Sequence, residues 1–461
     1  MLVRWPPART LLLAYGVALC VVSIHAQGPS DGPAVYEGAL IIPGDGSPPI
    51  PDGAFLVQNG VIVRVGARGT VAAPQDARRV NLSGRVVMPA LVDTHGHPGF
   101  QRGLTYGREN YTRQTYLDDL DRAAYYGVRV VMSQGIDPGE LAYDIRRDQR
   151  RGAAGGARLL LAGRGIGAPN AGPGAAAFQG IAYDVTTPEQ GRAAVRELAA
   201  TSVDVVKIWV DDRGGRAPSL PETAYRAIID ESHRHGLKVN AHVFYHRDAE
   251  ALVEAGVDAL AHLVRDREMD DALVASIVRR GVYVMPNLGS SERGIHATVP
   301  PWFDEPSLSA LLRETVPPAV IDRMRMSFTS RDAGAAGAAR ERYAILQRSL
   351  RKLARAGARI VLGADTGLED HFFGYAEQRE LEAMAGAGMT PAQVIVAATT
   401  RSAEYLGLPW MGRVAEGASA DFLVLAGNPL DDIRRTRAID SVYFDGRPID
   451  RTAMRPRLTA R

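Results

Sequence analysis

The sequence predicts an α/β fold, a (β/α)8 TIM barrel carrying a small β-sandwich domain formed by the N- and C-terminal flanks. Three observations carry the prediction. Between residues 86 and 364, eight short apolar runs alternate with helical stretches, the pattern of parallel strands joined by crossover helices. The flanks read instead as short runs broken by turns. Finally, the side chains able to bind metals or move protons fall just past the ends of the apolar runs, on the face where such barrels build their sites.

The N-terminus comes first. Arg4 and Arg9 precede an apolar run over 11–24, and Ala26 follows as a small residue suited to cleavage. This reads as a signal peptide over 1–26, which places the mature protein in a secreted or periplasmic setting with no stable membrane span after cleavage. An uncleaved anchor fits less well, because the run is short and no stop-transfer charges follow it. Cys20, the only cysteine, lies in this segment behind Leu19, where lipidation needs a small residue. The mature chain would lack cysteine, which excludes disulfides and thiolate ligands. A formal charge of +2 on 461 residues, with no basic run, argues against nucleic acid as a partner.

A Gly/Pro-rich linker at 27–33 leads into 34–85, where Asn59 and Gly60 mark a hairpin. Similar strands recur at 420–425 and 441–445. Barrel closure sets the eighth strand beside the first, so 34–85 and 405–449 can share one small β domain around a barrel at 86–404. The barrel strands are expected at 86–93, 128–133, 157–163, 203–210, 237–243, 259–263, 282–287 and 359–364. A helix over 343–356 carries Leu346, Leu350 and Leu353 at core-facing spacing. Two long connections, 164–180, rich in Gly, Ala and Pro, and 288–335, where PPWF and PP read as breakers around a short helix, are either irregular surface loops or functional lids. Gly163, Gly165 and Gly167 precede no suitable helix with an acidic partner, so they do not form a dinucleotide loop.

The stretch VDTHGHP places His95 and His97 two apart, on one face of the first strand's end. Lys207 lies among apolar neighbours on the fourth strand, sharing a face with Val205 and Trp209. An ammonium buried there needs a carboxylate partner, a lowered pKa or chemical modification. His242 ends the fifth strand, His262 the sixth, and Asp365 follows the eighth. Singly, each imidazole could be an ordinary core histidine and Asp365 a helix cap. Their convergence on one rim is what points to a metal centre.

With THGH after strand one, VKI on strand four, AH on strands five and six, GADTG on strand eight and the tail GRVAEGASADFLVLAGNPL, the chain resembles the amidohydrolase superfamily of metal-dependent hydrolases over nearly all its mature length. The subgroup it is most similar to contains Xaa-amino-acid dipeptidases (prolidase-like enzymes) and related amide hydrolases. The resemblance implies two divalent metal ions, with zinc the first choice for His and carboxylate ligands. His95, His97 and Asp365 would bind one, His242 and His262 the other, and carboxylated Lys207 would bridge them. A hydroxide shared by the ions would then attack a C–N amide or peptide bond of a small molecule, an N-acyl amino acid or dipeptide, with Asp365 the catalytic proton carrier. Lactonase, phosphotriesterase or deaminase chemistry on the same centre is the alternative, and a catalytically silent binding barrel a more distant one. Met132, Ser133 and Gln134 stand where relatives carry a Thr-rich strand end.

Around this centre Tyr245, Arg265 and His371 are the substrate-binding candidates, Tyr245 and Arg265 for a substrate carboxylate. Arg102, Arg164, His246 and Asn287 also follow strand ends, whereas His233 and His235 read as surface residues. The expected partner is a small-molecule substrate, and homo-oligomerisation is compatible with the sequence.

Overall fold

The computed structural model describes residues 32–460, so the expected signal peptide and Cys20 lie outside the described residues. The chain begins with β1 (Ala34–Ile41), β2 (Ile50–Gln58), β3 (Val61–Ala67), β4 (Arg78–Asn81) and β5 (Val86–Pro89). It continues through β6 (Leu91–Gly96), a hairpin of β7 (Gln101–Arg102) and β8 (Thr105–Tyr106), β9 (Val128–Ser133) and β10 (Arg158–Leu161). Then follow β11 (Ile166–Gly167), β12 (Tyr183–Asp184), β13 (Val205–Val210), β14 (Lys238–Val243), β15 (Ala259–Ala261), β16 (Tyr283–Met285) and β17 (Arg359–Ile360). The chain returns through β18 (Phe422–Leu425), β19 (Ile439–Phe444) and β20 (Arg447–Pro448).

The run at 86–93, expected as one strand, is two. Pro89 has no N–H to extend a ladder, and the chain changes partners beside it. The Ala90 N–H still donates to the Asp421 carbonyl (3.0 Å), whereas the Leu91 N–H donates to Gly127 (2.9 Å). Consequently β5 pairs with β1 and β18 in the flanking sheet, and β6 pairs with β9.

Where a sandwich was expected, the flanking strands are hydrogen-bonded into one mixed sheet of eight, β20-β19-β18-β5-β1-β2-β3, with β4 on β1. Its core is aromatic: Tyr36 stacks on Phe55 at 4.9 Å, Phe422 on Tyr443 at 4.6 Å, and the two pairs meet edge to face. Burying such side chains contributes roughly 1.5–3 kcal/mol apiece.

The remaining main strands are parallel and lie in two sheets, β10-β9-β6 and β12-β11-β13-β14-β15-β16-β17. Backbone bonds also cross between these sheets: Thr94 N–H to Leu362 O (2.9 Å), His97 N–H to Thr366 O (2.7 Å) and Asp204 N–H to Leu161 O (2.7 Å). The helices between strands turn apolar faces onto them, as Leu346, Leu350 and Leu353 do from a helix that spans Ala333–Arg355. The connection 288–335 is largely helical, with Pro306–Arg313 and Pro318–Thr329 packing Leu308, Leu311 and Phe328 into a satellite core with Tyr125 and Phe372. Among the described residues no helix is long and apolar enough to cross a membrane.

Candidate metal centre

The parallel strands deliver the predicted side chains to one end. His95 lies in β6, and His97 follows it; Lys207 lies in β13 and His242 in β14. His262 follows β15, and Asp365 comes after the short β17. The backbone at this end is unusual, since His262 (φ 72°), Asn287 (φ 50°) and Asp365 (φ 57°) are all left-handed. Such a conformation costs a non-glycine residue about 1–3 kcal/mol and persists only where its surroundings over-determine it. Here Asn287 Oδ1 accepts the His262 N–H (3.0 Å), its Nδ2 donates to Gly363 O (2.9 Å), and the Asp365 N–H donates to His95 O (2.9 Å).

Asp365 is the hub. Its Oδ1 lies 3.0 Å from His97 Nε2 and 3.4 Å from His95 Nε2. Ligand atoms of His95, His262 and Asp365 all lie within 4.8 Å of one another. The His262 ring centroid is 5.3 Å from that of His95 and 4.7 Å from that of His242. Burial pulls the Asp365 carboxyl upward, but His95, His97 and Lys207 around it hold it well below the usual carboxylate range. Burial also keeps His95 and His262 neutral, and pulls His242 down to about 4.

Lys207 is buried, and its Nζ has no hydrogen-bond partner among the described residues. Burial lowers its ammonium to about 7, against the attraction of Asp365. His97 Nδ1 and His262 Nδ1 are likewise buried without partners. Neutral imidazoles, an ionised carboxylate and a readily deprotonated amine form a donor set that fits divalent cations. His242 is held from behind, its Nε2 lying 2.9 Å from Asp211 Oδ2, which also takes Arg213 Nη1 at 2.9 Å. A carboxylate orienting a ligating imidazole is the usual second layer of a metal site. A second cluster, His246, Glu250 and Asp270, does not resemble this one, because His246 Nδ1 already meets the Arg267 guanidinium at 2.8 Å.

The other predicted residues occupy varied places. Arg265 is half-buried, makes no ion pair among the described residues, and lies within the electrostatic reach of Asp365 and Asp211. Tyr245 donates its hydroxyl to Asp212 (2.8 Å). His371 is buried, with Nε2 3.0 Å from Ala364 O, and its own carbonyl accepts the Gly367 N–H, so it pins the turn that carries Asp365. Arg164 donates to Ile181 O and stacks 3.9 Å over Tyr183, while Arg102 is exposed on the β7–β8 hairpin. His233 and His235 are exposed on a helix surface. The connection 164–180 is more than surface loop, since its Phe178 is buried with its ring 5.4 Å from that of His97.

Three contributors escaped sequence reading: Asp211, Asp93 and Glu377. Asp93 Oδ1 accepts the His95 N–H (3.0 Å) and the Ala364 N–H (3.2 Å), tying the end of β6 to the segment after β17. Glu377, which accepts the Gly374 N–H at 2.6 Å, faces it. Burial drives Asp93 up to about 7, and burial with the charge of Asp93 drives Glu377 well above the carboxylate range, so the pair retains a proton. Because these folded-state values exceed the unfolded ones, the stability they contribute is complete below about pH 4 and is lost as pH rises through about 7. Glu377→Gln keeps a donor there without titrating. Its melting temperature should fall less than the wild type's between pH 6 and pH 8 in scanning calorimetry, and parallel profiles would exclude the shared proton.

A profile of the amidohydrolase family matches residues 86–449. An ochratoxinase from Aspergillus niger is 26% identical over 465 residues, covering 90% of this chain and 85% of that one. An uncharacterised protein from Mycobacterium tuberculosis is 25% identical over 367 residues, covering 78% and 84%. The crystal structure of a Xaa-Pro dipeptidase with bound methionine in its active site superposes with a TM-score of 0.72 at 21% identity, covering 91% of this chain and all of that one.

Proposed function

Because the chain belongs to the amidohydrolase family, and so is a hydrolase acting on carbon–nitrogen bonds, we propose that it is an exported enzyme. It cleaves the amide bond of a small N-acyl amino acid or dipeptide at a centre of two divalent ions. The observation that carries this reading is the set of buried, unpartnered donors, Lys207 Nζ, His97 Nδ1 and His262 Nδ1, gathered around an ionised Asp365. In it, His95, His97 and Asp365 would hold one ion and His242 and His262 the second, with Lys207, as a carbamate, the ligand they would share. The two parallel sheets form a single barrel that begins at β6 and runs to 404, with 34–89 and 405–449 as its companion domain and 1–26 as a cleaved signal peptide.

Carbamate formation needs the neutral amine: Nζ attacks carbon dioxide, an N–C bond forms, and one proton leaves. A lysine lowered to about 7 offers that amine near neutral pH. Zinc ions bound here would supply an acidified water and Lewis-acid polarisation of the scissile carbonyl. Asp365 then takes the proton of the attacking water on a carboxylate oxygen and returns it to the leaving nitrogen as the C–N bond breaks.

Arg265, which has no ion-pair partner among the described residues, would hold the substrate's carboxylate, and Tyr245 would join it by exchanging its hydrogen bond to Asp212. Arg265→Ala should raise KM roughly 10- to 100-fold, the value of a charge-assisted hydrogen bond, with kcat changed far less. A fall in kcat at constant KM would remove Arg265 from that role. The reading as a whole is tested by metal analysis and by a screen of the zinc-loaded enzyme against N-acyl amino acids, dipeptides, lactones and phosphotriesters. Stoichiometric metal with amide turnover supports it, turnover of lactones or phosphotriesters alone replaces the substrate class, and absence of bound metal overturns the centre.

A further inference from the structure

The β7–β8 hairpin carries a phenol that the reaction above leaves unused. The Tyr106 hydroxyl is shielded from solvent and has no hydrogen-bond partner among the described residues. An unpaired buried hydroxyl costs about 1–3 kcal/mol, and here the scaffold enforces it. Asn110 Nδ2 donates to the Phe100 and Thr105 carbonyls, each at 3.1 Å. Gln101 donates to Gly103 O (2.8 Å) and accepts the Asp370 N–H (3.2 Å). Arg323, from the helix Pro318–Thr329, donates to Leu104 O and pairs with Asp370. The hairpin backbone is therefore clamped between the loop after β17 and the 288–335 connection.

The ring's position is equally specific. It meets Phe178 edge-on at 6.1 Å, and Phe178 in turn lies 5.4 Å from His97. Tyr106 thus stands one aromatic layer from the predicted ligands, with Asp365 the foremost charge acting on it. Burial and that carboxylate both raise its pKa, so the hydroxyl stays protonated and can only serve as a donor or neutral acceptor. Packing does not require the oxygen, because phenylalanine would fill the same ring contacts. Buried donors fixed in advance near a reacting centre are the means by which sites stabilise charge that develops only in the transition state.

We propose that Tyr106 contacts the substrate, donating a hydrogen bond from Oη to the carbonyl oxygen of the scissile amide as that oxygen gains negative charge. The assignment rests on the amide-hydrolase reading of the same centre. Its test is Tyr106→Phe in the full-length, zinc-loaded enzyme, using the amide substrate that the screen turns over fastest. The expected result is a fall in kcat of about 100-fold, a KM within a few-fold of wild type, unchanged metal content, and a melting temperature equal to or above wild type because an unsatisfied hydroxyl is gone. Calorimetric titration with an N-phosphonyl amino acid, a tetrahedral mimic, should show a comparable loss of affinity, while the product amino acid binds as before. Unchanged kcat overturns the assignment, as does a change confined to KM. A lowered melting temperature makes the hydroxyl structural and also overturns it. Those outcomes leave wild-type amide turnover intact and so spare the amide reading. A wild-type enzyme that binds zinc yet cleaves no amide removes both.

Discussion

Asp365→Asn is expected to lower kcat by about 100- to 10,000-fold, the usual contribution of a positioned proton carrier, while the protein still folds and still binds metal. The substitution keeps an oxygen facing His97 Nε2 and His95 Nε2, which lie 3.0 Å and 3.4 Å from Oδ1 in the native residue. What it removes is the capacity to accept a proton. The native carboxyl stays ionised, because His95, His97 and Lys207 around it outweigh its burial. Such a carboxylate is a weak base, so it would accept a proton only from a water that bound zinc had acidified, and would give it up readily to the more basic leaving amine. Steady-state kinetics with elemental analysis of the same sample separates the cases. Near-normal turnover would exclude the proton role. Loss of metal in step with activity would assign Asp365 to holding an ion alone.

Much of this centre could be read from the chain because parallel strands impose a simple grammar. Apolar runs buried on both faces end abruptly where a polar residue is tolerated, so His95, His97, His242, His262 and Asp365 stand out at the termini of such runs. Lys207 stands out for the opposite reason, as a charge inside one. The alternation of side chains along β13 puts it on the same face as Val205 and Trp209, and the structure buries it there. Other features leave no such mark. The split of 86–93 depends on Pro89 meeting Phe422 across a sheet whose strands come from opposite ends of the chain. The pairing of Asp93 with Glu377 joins a strand to the distant helix Tyr375–Gly386, and no local pattern announces it. Tyr106 sits in a strand of two residues, too short for any periodicity to register. In the connection 288–335 the prolines read as breakers around one short helix, whereas Pro301, Pro306 and Pro318 stand at the first turns of successive helices, where a missing N–H does no harm.

Lys207→Met should act in opposite directions on the metal-free and metal-loaded protein. In the metal-free protein the native ammonium is buried with no hydrogen-bond partner among the described residues, and an apolar chain of similar length removes that burden. Burial has lowered its pKa from 10.5 to about 7, so between those values the unfolded chain binds the proton that the folded chain has released. Stability of the metal-free wild type therefore rises with pH from about 7 to 10.5, and the penalty is complete below about pH 7. The methionine variant has no such slope. It should be the more stable protein at pH 7, by about 1–3 kcal/mol, with the advantage shrinking as pH approaches 10.5. The metal-loaded protein should respond the other way, because methionine cannot form the bridging carbamate: zinc retention falls and turnover drops on the order of 1,000-fold. Bicarbonate should restore activity to carbon-dioxide-depleted wild type and do nothing for the variant. Denaturant titrations at several pH values check the first half and metal retention with bicarbonate rescue the second. A variant that keeps its zinc and its activity would dismiss the bridge, and one that is less stable without metal at pH 7 would show that Lys207 is satisfied in the fold by other means.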